Sequence, residues 1–315
     1  MVSPARLDRV LGAGGRRKAG VNQDGVCSEK DRPRFVIVHW NRPAECLATI
    51  RSSIAQIPGL HTLVLDNNSS TANYETLRGL LDSSVEILRF QENKGWGPAL
   101  NVALRKWLNE ENSRYCFISA HDAELASDCL ARLQAAMDAD PKLGIVCPQY
   151  PDCSVPQLSP LHGVSYKFVN PPRPGYVESI DVPHGTLMIV RRECLADIGL
   201  FDERYFAYGD EHELGARARR QGWEVGLIWG AIVANPQTST PSQWRSYIFT
   251  RNSLLLVHDY FGKWAVLLRA LVILGNMVWH AIFPPENDVA SSACARRRGF
   301  LAYFAGRIGP PPPSQ

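Results

Sequence analysis

No two of the eight cysteines (Cys27, Cys46, Cys116, Cys129, Cys147, Cys153, Cys194 and Cys294) form a CxxC pair or stand at zinc-ligand spacing. That excludes a small disulfide scaffold and a structural zinc site, and the thiols read as buried and reduced. A strong charge of either sign is also missing. The 34 Lys and Arg residues face 31 Asp and Glu, a net charge of +3, without the clustered basic excess of a nucleic-acid binder. The N-terminal stretch MVSPARLDRVLGAGGRRKAG has no apolar run of the signal-peptide kind, so the expected location is the cytoplasm. Apolar residues are not scarce. They make up 45% of 315 residues, enough for a large core and too many for a disordered chain.

Residues 1–33 show neither helical nor strand periodicity and are expected to form a flexible leader. The glycines of GAGGRR, from Gly12 to Arg17, follow no strand, so they do not read as a dinucleotide loop. Beyond them, short runs rich in β-branched residues alternate with helical patterns. FVIVHW precedes a helix over 44–56 opened by Pro43, and HTLVLDNNSS precedes a helix over about 74–81. VEILRF and a glycine-rich loop lead to a helix through Leu100–Leu108, and RYCFISAHD follows. Fully apolar strands alternating with helices predict a mostly parallel sheet covered on both faces, with ligands at the carboxyl ends of its strands. The proline-rich stretch 149–182 reads as a long irregular excursion beside the site. GTLMIVRRECLADIGLFDE, the helix DEHELGARARRQG closed by Gly222, and the strand WEVGLIWGAIVA complete the ordered part.

The polar residues of interest fall where strands end. His39, Trp40 and Asn41 follow FVIV, Asp66, Asn67 and Asn68 follow HTLVL, and His121 and Asp122 follow CFISA. Each group taken singly is also what an ordinary turn uses. ENKGWGPALN sets Gly95 and Gly97 at a helix start, where backbone amides can approach a phosphate or a sugar. Asp122 is a lone carboxylate suited to a hard divalent cation. Asp210, Glu211 and Glu213 crowd the start of a helix behind Tyr205, Phe206 and Tyr208. They complement the helix dipole, and crowding of this kind raises a carboxyl pKa toward that of a general base.

The run Trp264–Phe283 has the length of a bilayer span. Arg269, Asn276 and His280, spaced by seven and four, share one stripe opposite Leu267, Leu268, Leu271, Leu274 and Val278. An arginine near the middle of a spanning helix would cost roughly 3 kcal/mol. Two readings remain: a helix lying in the membrane interface, favoured by Trp264, Trp279 and the cluster Arg296, Arg297 and Arg298, and a helix packed on the catalytic domain.

In order, VIVHWNRP, LVLDNNSS, ENKGWGPALN, FISAHDAEL, GTLMIVRRECLADIGLFDERYFAYGDEHELGARARRQGW and the later Arg251–Asn252 resemble family-two glycosyltransferases of GT-A fold, in particular the bacterial rhamnosyltransferase-like branch. The resemblance covers about Phe35 to Tyr260. It implies a GT-A catalytic domain over 34–260, followed by a C-terminal amphipathic helix and a basic, Pro-rich tail over 261–315. It places Trp40, Asn41 and Asp66 near the nucleoside, with Asp66 toward the base, and Asn93, Gly95, Gly97 and Asn101 beside the nucleotide and sugar. Ala120, His121 and Asp122 occupy the DxD position, with Asp122 as ligand to Mg or Mn. Asp210 and Glu211 occupy the ED position that supplies the catalytic base, with Glu211 as the base, Asp210 as the second candidate and Glu213 in support. Two departures stand out, Ala120 for the first acid of DxD and Asn235 where relatives often carry a metal-binding histidine. Without a QxxRW motif, single-sugar addition is expected over processive synthesis. The implied reaction is inverting transfer from a nucleotide-diphosphate sugar, dTDP-rhamnose by resemblance, to a hydroxyl of a cell-envelope or lipid-linked glycan at the inner face of the cytoplasmic membrane. A sugar-phosphate nucleotidyltransferase and a non-catalytic sugar-nucleotide binding module are the alternatives.

Overall fold

The computed structural model describes residues 32–235, 240–283 and 290–312. Nearly all of the expected leader thus lies outside the described residues. The first half of the fold is β1 (Arg34–His39), α1 (Pro43–Gln56), β2 (His61–Asp66), α2 (Thr71–Leu80), β3 (Glu86–Arg89), α3 (Gly97–Glu110) and β4 (Tyr115–Ala120). Pro43 and Pro98 sit in the first turns of α1 and α3, where a missing N–H costs nothing. Ser70 caps α2, its hydroxyl accepting from Asn73 N at 3.3 Å. Then come β5 (Glu124–Leu125), α4 (Cys129–Ala139), β6 (Leu143–Gln149), β7 (Ser154–Ser159), β8 (Gly163–Phe168), β9 (Val177–Ser179), β10 (Leu187–Arg191), α5 (Arg192–Ile198), α6 (Asp210–Arg220), β11 (Glu224–Ala234), α7 (Ser242–Ile282) and α8 (Ala290–Phe304).

The main sheet runs β3-β2-β1-β4-β10-β6-β11-β5, with β9 also paired to β11. Strands β3, β2, β1 and β4 are parallel, β10 is antiparallel to both β4 and β6, and β11 returns parallel to β6. The unbroken apolar run of β1 follows from its position. Val36 and Val38 pack with Leu104 and Trp107 on one face, and Phe35 and Ile37 with Ile50, Leu77 and Leu133 on the other. A sheet buried on both sides brings its strand ends, β1 and β4 among them, to one rim.

Two expectations change. The stretch 149–182 is not irregular throughout, because β7 and β8 pair as a separate antiparallel hairpin and β9 joins the main sheet. The prolines mislead here, since Pro156 sits in a two-stranded hairpin, where a strand tolerates a missing donor. The run 264–283 is the second arm of the longer helix α7, which bends at Gly262 with φ 82, a value only glycine takes without strain. Past the bend, Val266, Ala270 and Ile273 pack back on Leu254 and Val257 of the first arm and on Phe300 and Tyr303 of α8.

Candidate active site

At the carboxyl ends of β1 and β4 opens a cleft of about 860 Å³. Of the residues singled out by sequence, Trp40, Asn93, Gly95, His121, Asp122, Asp210 and Glu211 line it. Asn41, Asp66, Gly97 and Asn101 are not among its lining residues and stand in the wall behind it. Asp66 is fully buried and accepts from His39 Nδ1 at 2.8 Å and from Ser69 N at 3.2 Å. Burial works to raise its carboxyl, yet these hydrogen bonds more than offset it and hold the group below the usual range. Asn41 (φ 56) takes Ser70 N on its Oδ1 at 2.8 Å, closing the first loop onto α2. Asn101 exchanges two hydrogen bonds with the backbone of Phe201, each 2.9 Å. Gly97 N donates to Asp210 Oδ2 at 2.7 Å, and a Cβ at Gly97 would stand 2.7 Å from that oxygen.

The glycine-rich loop is held by Asn67. Its Nδ2 donates to Asn93 Oδ1 at 3.0 Å and Gly95 O at 2.7 Å, and its Oδ1 accepts from Lys94 N at 2.8 Å. Gly95 has φ 90, and a Cβ there would lie 2.1 Å from Phe206 O. Only glycine fits, and the carbonyl it admits accepts from Trp96 N at 2.7 Å.

Asp122 accepts from Asn235 Nδ2 at 3.2 Å, while Asn235 Oδ1 is buried without a partner among the described residues. Those residues contain no cluster of three His, Cys, Asp or Glu arranged to hold a metal. A single carboxylate beside an unpartnered amide oxygen is nonetheless an all-oxygen donor set, which fits Mg or Mn sharing its remaining positions with phosphate and water. His121 is kept neutral by burial, its Nδ1 3.1 Å from Val38 O.

On the far side, Asp210 is fully buried, with one oxygen on Gly97 N and the other without a hydrogen-bond partner among the described residues. Burial, and then the charge of Glu211, push its carboxyl well above the ordinary range. Glu211 Oε2 accepts from Gly209 N at 2.9 Å. Its Oε1 lies 3.7 Å from His212 Nε2. Glu213 points away to pair with Arg217 at 2.7 Å.

Sequence reading missed several lining residues. His184 stacks on Tyr150 with ring centroids 4.1 Å apart, and its Nε2 donates to Pro148 O at 2.7 Å. Trp244, on the first turn of α7, faces Trp40 with centroids 6.1 Å apart and planes 14° from parallel. Neither stands in a polar cluster, so no sequence signal marks them.

A glycine-walled cleft at the strand ends of a mixed, helix-covered sheet, with a carboxylate on one side and a buried acidic pair on the other, is the arrangement of a GT-A type transferase. Residues 35–199, more than half of the chain, match the family model for glycosyl transferase family 2, and the chain belongs to that family. It is 23% identical over 278 residues to the low-salt glycan biosynthesis hexosyltransferase Agl10 of Haloferax volcanii, covering 83% of this chain and 89% of that one. An N-acetylglucosaminyl-diphospho-decaprenol L-rhamnosyltransferase of Mycobacterium tuberculosis is 28% identical over 127 residues, 39% of this chain and 40% of its own. Among solved structures, GalNAc-T7 with UDP, GalNAc and Mn2+ superposes with a TM-score of 0.60 at 14% identity, covering 87% of this chain, which spans 56% of that protein. The mannosyltransferase PcManGT of Pyrobaculum calidifontis, in complex with GDP-Man and Mn2+, superposes with a TM-score of 0.55 at 15% identity, covering 87% of each chain. The GT-A fold is shared, and the chain is a glycosyltransferase. The nucleotidyltransferase and non-catalytic readings are set aside.

Proposed function

We propose that this glycosyltransferase moves one sugar from a nucleotide-diphosphate donor to an acceptor hydroxyl with inversion, using Glu211 as the base. The observation that carries the reading is the division of one cleft into a metal-suited side at Asp122 and a proton-handling side at Asp210 and Glu211. Burial, and then the charge of Glu211, push the Asp210 carboxyl well above the ordinary range, which makes Asp210 the poorer proton acceptor of the two and leaves Glu211 as the proposed base. Its carboxylate takes the acceptor proton, the acceptor oxygen bonds to C1 from the face opposite the diphosphate, and the C1–O bond to the diphosphate breaks. Asp122 and the amide oxygen of Asn235 would hold Mg or Mn, which when bound neutralises charge on the departing diphosphate. Trp40, with Trp244 beside it, marks the nucleoside end. Asn41 and Asp66 shape that end from behind, and Gly97 and Asn101 brace the glycine loop.

dTDP-rhamnose is the proposed donor, supported by the similarity to a rhamnosyltransferase. The proposed acceptor is a lipid-linked or envelope glycan at the cytoplasmic membrane face, reached by an enzyme bound peripherally to an anionic bilayer. The outer face of the second arm of α7 supports this. It leaves Trp264 84% exposed, with Leu267, Leu268, Leu271, Leu274 and Val278 continuing one helical stripe. Exposed Lys263, Arg297 and Arg298 lie on this arm and on α8, Arg307 follows α8, and the described residues from Phe261 onward include no Asp or Glu. By length and composition α7 could cross a membrane. However, Arg269 ties the arm to the turn between β7 and β8 through Leu161 O at 2.9 Å and to the first arm of α7 through Ser253 Oγ at 3.2 Å. Those bonds favour an arm lying flat.

The test is release of nucleoside diphosphate from dTDP-, UDP- and GDP-linked hexoses, dTDP-rhamnose included, with Mn2+ and with excess chelator. Water takes the acceptor's place in this assay. Metal-dependent release, abolished in a folded Asp122→Asn variant, is expected. Full release by that variant or in chelator would contradict the metal assignment, and no release from any donor would contradict the donor class.

A further inference from the structure

The loop that delivers the acidic pair is bent in a way its own residues do not favour. Phe206 (φ 67) and Tyr208 (φ 58) are both non-glycine residues in the left-handed region, and Gly209 follows at φ 110. L side chains rarely adopt such conformations, which persist only where surrounding contacts over-determine them. Here every carbonyl from Tyr205 to Tyr208 is occupied. Trp96 N takes that of Phe206, and two side chains of α7 take the rest. Asn252 Nδ2 lies 2.9, 2.8 and 2.7 Å from the carbonyl oxygens of Tyr205, Ala207 and Tyr208. Arg251 Nη2 donates to Tyr205 O at 2.9 Å, and its Nε donates to Asn252 Oδ1 at 2.9 Å. That last bond turns the amide so that its NH2 meets the loop. The other arm of the guanidinium reaches Gly309 O in the C-terminal tail. Both side chains are only 2% exposed.

The consequence falls on Glu211. Its Oε2 is held by Gly209 N, and the direction of that N–H is fixed by the backbone of Ala207, Tyr208 and Gly209. We infer that Asn252, oriented by Arg251, is a positioning residue that clamps this loop so that Glu211 points into the cleft, making the first arm of α7 part of the active site. The inference rests on Glu211 being the base. Two amide hydrogens spread over three carbonyls suit no purpose but holding this turn, and apolar packing could not supply them.

The experiment compares Asn252→Ala, Asn252→Asp and Arg251→Lys with the wild type and with Glu211→Gln, using the donor from the panel that the wild type hydrolyses fastest. For folded Asn252→Ala, kcat should fall by about 30-fold or more while the donor KM stays within about threefold. The acidic limb of the kcat–pH profile should also move to higher pH, because a carboxylate losing an N–H donor binds its proton more tightly. Asn252→Asp, although the same size, should be worse than Ala, since it turns an oxygen toward three carbonyls. Should Asn252→Ala not fold, Arg251→Lys keeps the charge but loses the fork, and must still shift the acidic limb. Normal kcat and an unmoved limb in whichever variant folds, beside an inactive Glu211→Gln, overturn the clamp alone. An active Glu211→Gln overturns the base assignment and, with it, the clamp's target.

Discussion

Asp210 and Glu211 are neighbours in sequence but stand in different environments, and replacing each should separate chemistry from stability. Glu211→Gln removes the proposed base and should cost about 100-fold or more in turnover with donor binding largely kept. Asp210→Asn should be milder in turnover, because Gly97 N still finds an oxygen. In stability the order reverses. A carboxyl whose folded pKa is raised by burial favours the fold while protonated, and it disfavours the fold as pH climbs from its ordinary value through the raised one. Asp210→Asn escapes that loss, so its Tm should exceed the wild type's increasingly toward alkaline pH, as thermal scans across the pH range would show. An inactive Asp210→Asn beside an active Glu211→Gln would move the base by one residue. The acidic pair and Asp122 are legible in sequence because acids in excess of capping needs, or alone at a strand end, are rarely idle. Asp66 is not legible in the same way, since a turn-forming carboxylate and a ligand-facing one look identical until His39 is seen lying against it.

Among the elements, the strands of the first half announce themselves. A run such as FVIV, apolar at every position, has one explanation in a sheet, burial on both faces. Helix α4 and strand β6 are less readable. The strand's apolar core is only GIVC, set between Leu143 and Pro148, too short for periodicity to separate strand from helix. Helix α3 shows what a readable element contributes. Trp107 on it is fully buried, its Nε1 donates to Ser113 Oγ at 2.7 Å, and Trp107→Ala should lower unfolding free energy by roughly 3–5 kcal/mol in denaturant titrations. The second arm of α7 makes the opposite kind of prediction. Leu268→Glu with Leu271→Glu should leave Tm nearly unchanged, since both side chains are exposed, yet abolish co-flotation with liposomes containing anionic lipid. Equal flotation of the variant and the wild type would remove the membrane proposal without touching the chemistry.

For the molecule as a whole, buried histidines such as His184 and His212 contribute to an acid limit. Burial holds both His184 and His212 down to about 4. Each is neutral in the fold but protonates near 6.5 in the unfolded chain, so stability should decline as pH falls from about 6.5 toward 4. Thermal scans between those values should show His212→Gln losing less than the wild type. A second consequence concerns how this enzyme could diversify. The β7–β8 hairpin shares no hydrogen-bonded strand with the main sheet, yet Tyr166 on it lines the cleft and its turn rests on α7, where Gly163 would bring a Cβ within 3.1 Å of Ser253. A separable flap on a fixed floor is a graftable cassette. Exchanging 154–168 for the matching hairpin of a relative should retarget which hydroxyl is glycosylated while the choice of nucleotide sugar is inherited unchanged from the sheet, so that acceptor and donor preference evolve as independent traits.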